Sequence, residues 1–220
     1  MGQGKVKTRI RREQIARAAI DVVTSHGLAG LSVARVARRV GIVPSAIYRH
    51  YRGKEQVLNA ALEEIGRRLA ANVATVRRES ADPLLRLRGL LARHIGLIRR
   101  HHGIPRIVFS EALGGGRRRE KLRGIVEGYL GGITGLVREG QEQGRVRPDV
   151  DPYATAVVFL GMVQSPTILW HITGGRFDLD RQMEESWRIF SAALAVPARR
   201  PRRLSGAARP APAARRRGGR

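Results

Sequence analysis

The sequence contains no cysteine. That excludes disulfides, thiolate metal sites and thiol nucleophiles. Acidic residues are scarce, at 18 against 42 basic ones, and only four of the basic residues are lysine. Strict apolar/polar alternation is rare, so strands are not expected. The longest apolar runs, such as ATAVVFLGMV from Ala154, are too short to span a bilayer. The basic N-terminus is not followed by an apolar h-region, so no secretory signal is expected. A cytoplasmic location with no membrane partner is the expectation. Catalytic patterns are missing too. The serines lack a paired histidine and acid, and no glycine-rich phosphate loop follows a strand. Neither an enzymatic activity nor a cofactor is expected.

The charge that is present has a pattern. Residues 1–52 carry 11 basic and 2 acidic residues, and residues 197–220 carry nine arginines and no acid. The 144 residues between them hold 22 basic and 16 acidic residues. Both ends are strongly cationic and the middle is nearly balanced. Localised positive charge suits a polyanion, because each neutralised phosphate releases condensed counterions. An arginine-rich codon bias accounts equally well for the tail, but not for the arrangement near Tyr48.

Helical periodicity recurs along the chain. Ile15, Ala18, Ala19, Val22 and Val23 form one apolar stripe on a helix from Thr8 to Ser25, stopped at Gly27. Ser32 suits the N-cap of a short helix with Val33, Val36, Ala37 and Val40 inward, closed by Gly41. Pro44 suits the first turn of a third helix running to Tyr51, ended by Gly53. A longer helix follows from Lys54, with Val57, Leu58, Ala61, Leu62, Ile65 and Leu69 on one face. Five further helical segments follow. These are 83–101 capped by Asp82, 104–113, 117–144, an apolar one over 152–173 that contains Pro166, and 179–194. The glycines at 114–116 read as flexible, and 197–220 as a disordered basic tail. The expectation is an all-α chain in three parts. They are a helix-turn-helix segment over 1–55, a helical body over 56–196, and the tail.

The stretch SAIYRHYRGKEQ, Ser45 to Gln56, concentrates hydrogen-bonding and cationic groups. A recognition helix needs small or polar residues at its first turn, where the backbone nears base edges. Donors at its rim fix register on phosphates. Ser45, Ala46 and Arg49 fit the first role, with Arg49 supplying the fork that suits guanine. Tyr48, His50 and Lys54 fit the second, and Ile47 faces inward. Tyr48 also reads as interhelical packing, and Arg35, Arg38 and Arg39 equally as a solvated face. KVKTRIRR, at 5–12, reads as an arm toward DNA or as a frayed end.

With these residues in register, Ile15–Leu62 resembles the TetR family of bacterial transcriptional regulators. The matching features are Ala18-Ala19, His26-Gly27, Ser32, Ala37, Val40-Gly41, Tyr48-x-His50-Tyr51 and Lys54-Glu55. The resemblance implies a homodimer on a palindromic double-stranded operator, with a DNA-binding domain over 1–55 and a divergent C-terminal domain over 56–196 that binds a small molecule and dimerises. Carried over by position, it implies phosphate contacts from Ser32, Tyr48, His50 and Lys54. It puts Arg35 near the groove and Ser45, Ala46 and Arg49 at base edges. Two departures matter. Ala46 stands where a hydroxyl residue is common, and Val43 where Ser or Thr is, which weakens that helix's N-cap.

Farther along, RRHHG at 99–103 tempts a metal reading. Adjacent helical histidines diverge, so an interhelical turn is the expectation. His94 and His101, seven apart, share a helical face. Candidate pocket residues for a largely apolar effector are His94, Phe109, Glu111, Tyr129, Met162 and Trp170, each also readable as plain core. The last two helices carry more apolar surface than an edge pair needs, which favours an isologous dimer seam. The expected function is a ligand-responsive repressor. A basic protein that coats DNA without sequence preference is the alternative from another class, and an activator or ligand-independent regulator the alternative within the family.

Overall fold

The computed structural model describes residues 3–113 and 116–196, and these fold as nine α-helices. They are α1 Gln3–His26, α2 Val33–Val40, α3 Pro44–Tyr48, α4 Lys54–Glu79, α5 Pro83–Arg100, α6 Gly103–Leu113, α7 Arg117–Glu142, α8 Pro152–Ile172 and α9 Leu179–Leu194. The expected basic tail at 197–220 and two of the three glycines at 114–116 lie outside the described residues. One isolated antiparallel bridge, Val146 to Ala195, ties the loop after α7 to the end of α9.

Local signals explain most element ends. Ser32 Oγ accepts from the Arg35 amide at 3.2 Å and caps α2. Gly41 adopts φ 76°, a left-handed conformation costly for any residue with a Cβ, so the chain turns sharply into α3. Asp82, Asp151 and Asp178 cap α5, α8 and α9, with proline opening α5 and α8. Val43 gives α3 no side-chain cap bond.

Two boundaries differ from expectation. The helical run of α1 starts at Gln3, five residues before Thr8, because the basic segment ahead of the apolar stripe contains no proline and continues the helix. The third helix stops at Tyr48 rather than Tyr51. Tyr51 instead turns inward, where its side chain is 4% exposed.

A continuous core joins the two halves. Ile15, Ile20, Val23, Val36 and Ile47 are fully buried at one end, and Leu87, Leu90, Ile107, Ile133, Leu136 and Phe159 at the other. Each such aliphatic side chain contributes about 1.5–3 kcal/mol. α4 runs through both, with all six apolar residues expected on its face buried. α1 also reaches the second half. A Cβ on Gly103 would lie 2.6 Å from the Ile20 carbonyl oxygen, so only glycine lets the start of α6 press onto the α1 backbone. The Gly103 amide donates to Thr24 Oγ1 at 2.8 Å.

α8 corrects one sequence expectation. Its 21 residues contain no charged side chain except the titratable His171, so the whole helix is long and apolar enough to cross a membrane by length and composition. Counting only uninterrupted apolar residues missed this. A third of its most apolar stretch is buried within this fold.

Candidate nucleic-acid interface

The site is built from α2, the Gly41 turn and α3. The Ile42 amide donates to the Ala37 carbonyl at 3.0 Å and closes the end of α2. Ile47, fully buried, pins α3 onto the core beneath it. Pinning one face leaves the opposite one in solvent. Ser45, Tyr48 and Arg49 are exposed, with Tyr48 at 57%, and Ala46 and His50 are half-buried. An exposed large aromatic on a short helix is held out of the core, not packed within it. Arg49 ends α3 in an α-helical conformation, and the His50 and Tyr51 amides both donate to the Ile47 carbonyl. Lys54, exposed, opens α4 just beyond.

The rim is cationic. Burial first, then Arg12, Arg11 and Arg49, lowers the His50 pKa below the ordinary imidazole value. Both effects favour the neutral imidazole. A phosphate placed there would offset the arginines and favour its proton.

Not every expected side chain is free. The Ser32 hydroxyl already accepts the α2 capping bond, leaving its own proton to donate. Arg35 Nη1 donates to the Gly30 carbonyl at 2.8 Å. Arg39 pairs with Asp21 at 3.3 Å. Arg38 is exposed.

Sequence reasoning missed the brace behind the reader. The Tyr51 hydroxyl donates to the Arg12 carbonyl at 3.3 Å, and the Arg12 guanidinium lies over its ring at 5.1 Å. Buried Glu64 on α4 accepts from Arg17 on α1 at 3.1 Å, from Arg68 at 2.7 Å, and from Arg67. These joints fix the angle between α1 and α4. Only the aromatic at 51 carried a signal in the sequence.

Comparison with known proteins decides the family. Residues 15–61 match the model of bacterial regulatory proteins of the tetR family, and residues 80–194 match the tetracyclin repressor-like C-terminal domain. The chain belongs to the TetR family. It is thus a DNA-binding transcription regulator with a helix-turn-helix reader. It is 22% identical over 167 residues to the fatty acid metabolism regulator protein of Bacillus subtilis, covering 76% of this chain and 86% of that one. It is 26% identical over 188 residues to the nucleoid occlusion factor SlmA of Vibrio vulnificus, covering 84% and 95%. The structure of the regulator FadR from Bacillus subtilis in complex with stearoyl-CoA shares the fold. It has a TM-score of 0.69 and 19% identity over 82% of this chain and 98% of that one.

In this TetR-family chain the six expected pocket residues lie on α5, α6, α7 and α8. His94 and Tyr129 meet in the core, Nδ1 to hydroxyl at 3.0 Å, with rings edge to face. Burial pushes the His94 pKa down to about 4 and raises that of Tyr129, so both are neutral. Glu111, 4% exposed, accepts from Arg118 at 2.7 Å, and Arg118 also pairs with Glu55 on α4. Burial raises the Glu111 pKa. Trp170 stacks edge-on against His102, 4.6 Å between centroids. Met162 packs partly buried against the core, and Phe109 is half-buried.

The RRHHG segment is an interhelical turn, with His101 ending α5 and α6 starting at Gly103. His101 leaves the face of His94 and meets Asp21 of α1 at 3.4 Å. Among the described residues no three histidine, aspartate or glutamate side chains gather to hold a metal.

Proposed function

We propose that the chain is a ligand-responsive repressor. It binds a palindromic operator as a homodimer and releases it when a small molecule occupies the C-terminal helices. The observation that carries the DNA reading is α3 itself: Ile47 fully buried beneath an exposed face of Ser45, Tyr48 and Arg49. In this reading Ser45, Ala46 and Arg49 meet base edges. Tyr48, His50, Lys54 and the Ser32 hydroxyl meet phosphates, with Arg35 beside the groove. Residues 1–55 act as reader and 56–196 as sensor and dimer seam.

The dimer is supported by the outer side of α8, where Tyr153, Val157, Val158, Ile168, Leu169 and Ile172 are exposed, joined by Ile189 of α9. An apolar row of this kind suits two helices from each protomer. Half-sites on B-DNA lie one helical turn apart, about 34–36 Å. A ligand that moves α4 changes the spacing of the two α3 helices and costs one half-site.

An apolar effector of fatty-acyl type is supported by the Bacillus subtilis relative, named a fatty acid metabolism regulator, and by the FadR structure with stearoyl-CoA. A second reading is a ligand-independent regulator; the SlmA relative, at higher identity, is named a nucleoid occlusion factor. Footprinting on the DNA flanking the gene, with and without stearoyl-CoA, separates them. A palindromic footprint lost on adding acyl thioester supports the first. A footprint that persists supports the second, and equal competition by unrelated DNA refutes both.

A further inference from the structure

Three cavities open along one side of α4 and share their walls. The first, about 670 Å³, lies between α1 and α4 and is lined by Arg9, Arg12, Glu13, Tyr51, Glu63 and Arg67 among others. The second, about 260 Å³, shares Arg12, Tyr51, Ala60 and Glu63 with it and adds Lys121 of α7. The third, about 440 Å³, shares Lys121 and runs between Gly66, Ala70 and Val73 of α4 and Gly124, Gly128 and Tyr129 of α7. They follow one another as a groove along α4 from Gln56 to Val73, roughly 26 Å at 1.5 Å per residue, with the Lys121–Glu63 ion pair at the junction of the second and third.

Its two ends differ in chemistry. At the α1 end Glu13 is matched by Arg67 and Arg17, and Glu63 by Lys121. Arg9 has no carboxylate partner among the described residues, and Arg12 is held by the hydroxyl and ring of Tyr51, with Glu63 acting on it only at longer range. The surplus there is positive. At the α7 end the walls are glycine, alanine, valine, leucine and isoleucine, with Lys121 at one edge, and the one phenol has its hydroxyl occupied by His94.

The apolar end exists at a cost to the fold. Glycine is the poorest helix former after proline. Within α7 a Cβ on Gly124 or Gly128 would meet nothing within 4 Å. Among the described residues no packing requires glycine at either position, and each leaves open the space that a side chain would fill.

We propose that this groove holds an amphipathic anion, with an unbranched apolar chain between α4 and α7 and a phosphate-bearing head against Arg9 and Arg12. This rests on the effector reading above and gives the effector a place on the α4 surface, not in the enclosed core around His94. The head then touches α1 and Tyr51, the elements that brace the reader. Occupancy and reader orientation are thereby linked through direct contact.

The test is calorimetric titration of the full-length, DNA-free protein with stearoyl-CoA, stearate and CoA. Stearoyl-CoA should bind at least about tenfold tighter than either fragment. Arg9→Ala should abolish its advantage over stearate. Gly128→Leu should weaken stearoyl-CoA and stearate about tenfold or more, with the helical signal unchanged. Gly128→Ala should raise the melting temperature of the free protein. If stearoyl-CoA releases the operator from wild type while Gly128→Leu and Arg9→Ala bind it as wild type does, the groove is refuted and the effector reading stands. CoA binding as tightly as stearoyl-CoA, or a lower melting temperature for Gly128→Ala, also overturns the groove. If wild type binds no acyl compound, the effector reading falls and the groove with it.

Discussion

Replacing Glu64 with alanine should loosen the joint between reader and sensor, and its size can be worked out. The carboxylate is 1% exposed and takes three guanidinium donors, from Arg17 across on α1 and from Arg67 and Arg68 one turn along α4. Removing one partner of a fully buried pair costs about 3–5 kcal/mol. Here the arginine side chains are 54%, 49% and 21% exposed, so their charges regain water when the carboxylate goes. That reduces the net loss to roughly 2–3 kcal/mol. In a chain of this size each kcal/mol moves the midpoint by about 2–4 °C. Thermal unfolding followed by circular dichroism should therefore show a drop of roughly 4–12 °C. Glu64→Gln, which keeps the volume and one acceptor, should lose about half of that. A double-mutant cycle with Arg17→Ala should give a coupling of about 1 kcal/mol across the two helices. A midpoint within about 2 °C of wild type would refute the argument that this buried carboxylate holds α1 to α4.

Other consequences follow from the same geometry. His94 is held neutral with its pKa pushed down to about 4, whereas an unfolded chain protonates it near 6.5. Between those values the unfolded state binds more protons, so stability falls as pH drops from about 6.5 toward 4, by up to about 3 kcal/mol. Urea unfolding across that window should show the slope, and His94→Gln should flatten it; equal slopes would refute the assignment. Gly41→Ala places a Cβ in open space but at φ 76°, so strain alone should cost about 1 kcal/mol; an unchanged urea midpoint would contradict this. Val158→Glu, on the exposed apolar side of α8, should leave the helical content intact and give a monomer by light scattering; a variant that stays dimeric would remove α8 from the seam.

The parts legible in the sequence are those written locally. Ser32, Gly41 and Pro44 act within a turn of themselves, so α2, the turn and α3 could be read from residue types and spacing. The apolar stripes of α1 and α4 were legible for the same reason. The braces were not. Arg12 and Tyr51 lie 39 residues apart, Arg17 and Glu64 lie 47 apart, and no periodicity marks such a pairing. Tyr51 illustrates the limit. Its residue type placed it beside Tyr48, yet one is buried and the other exposed, because α3 ends between them. The pocket residues were chosen by chemistry on separate helices, and chemistry alone does not say which partner a side chain finds. Glu111 found Arg118 and Trp170 found His102. The α4 groove left a trace as the glycines of α7, whose spacing was visible but whose open faces were not.

The central claim is that the segment from α3 to the start of α4 divides its labour, with Arg49 at the end of α3 reading bases and Lys54 at the start of α4 holding phosphate. Binding of wild type, Arg49→Ala and Lys54→Ala to the operator and to scrambled DNA, measured across a salt series, tests it directly. Arg49→Ala should lower the ratio of operator to scrambled affinity by about 1–3 kcal/mol. Lys54→Ala should weaken both DNAs alike and reduce the salt slope by about one ion. If Lys54→Ala lowers the ratio and Arg49→Ala leaves it unchanged, the assignment of these two residues is wrong.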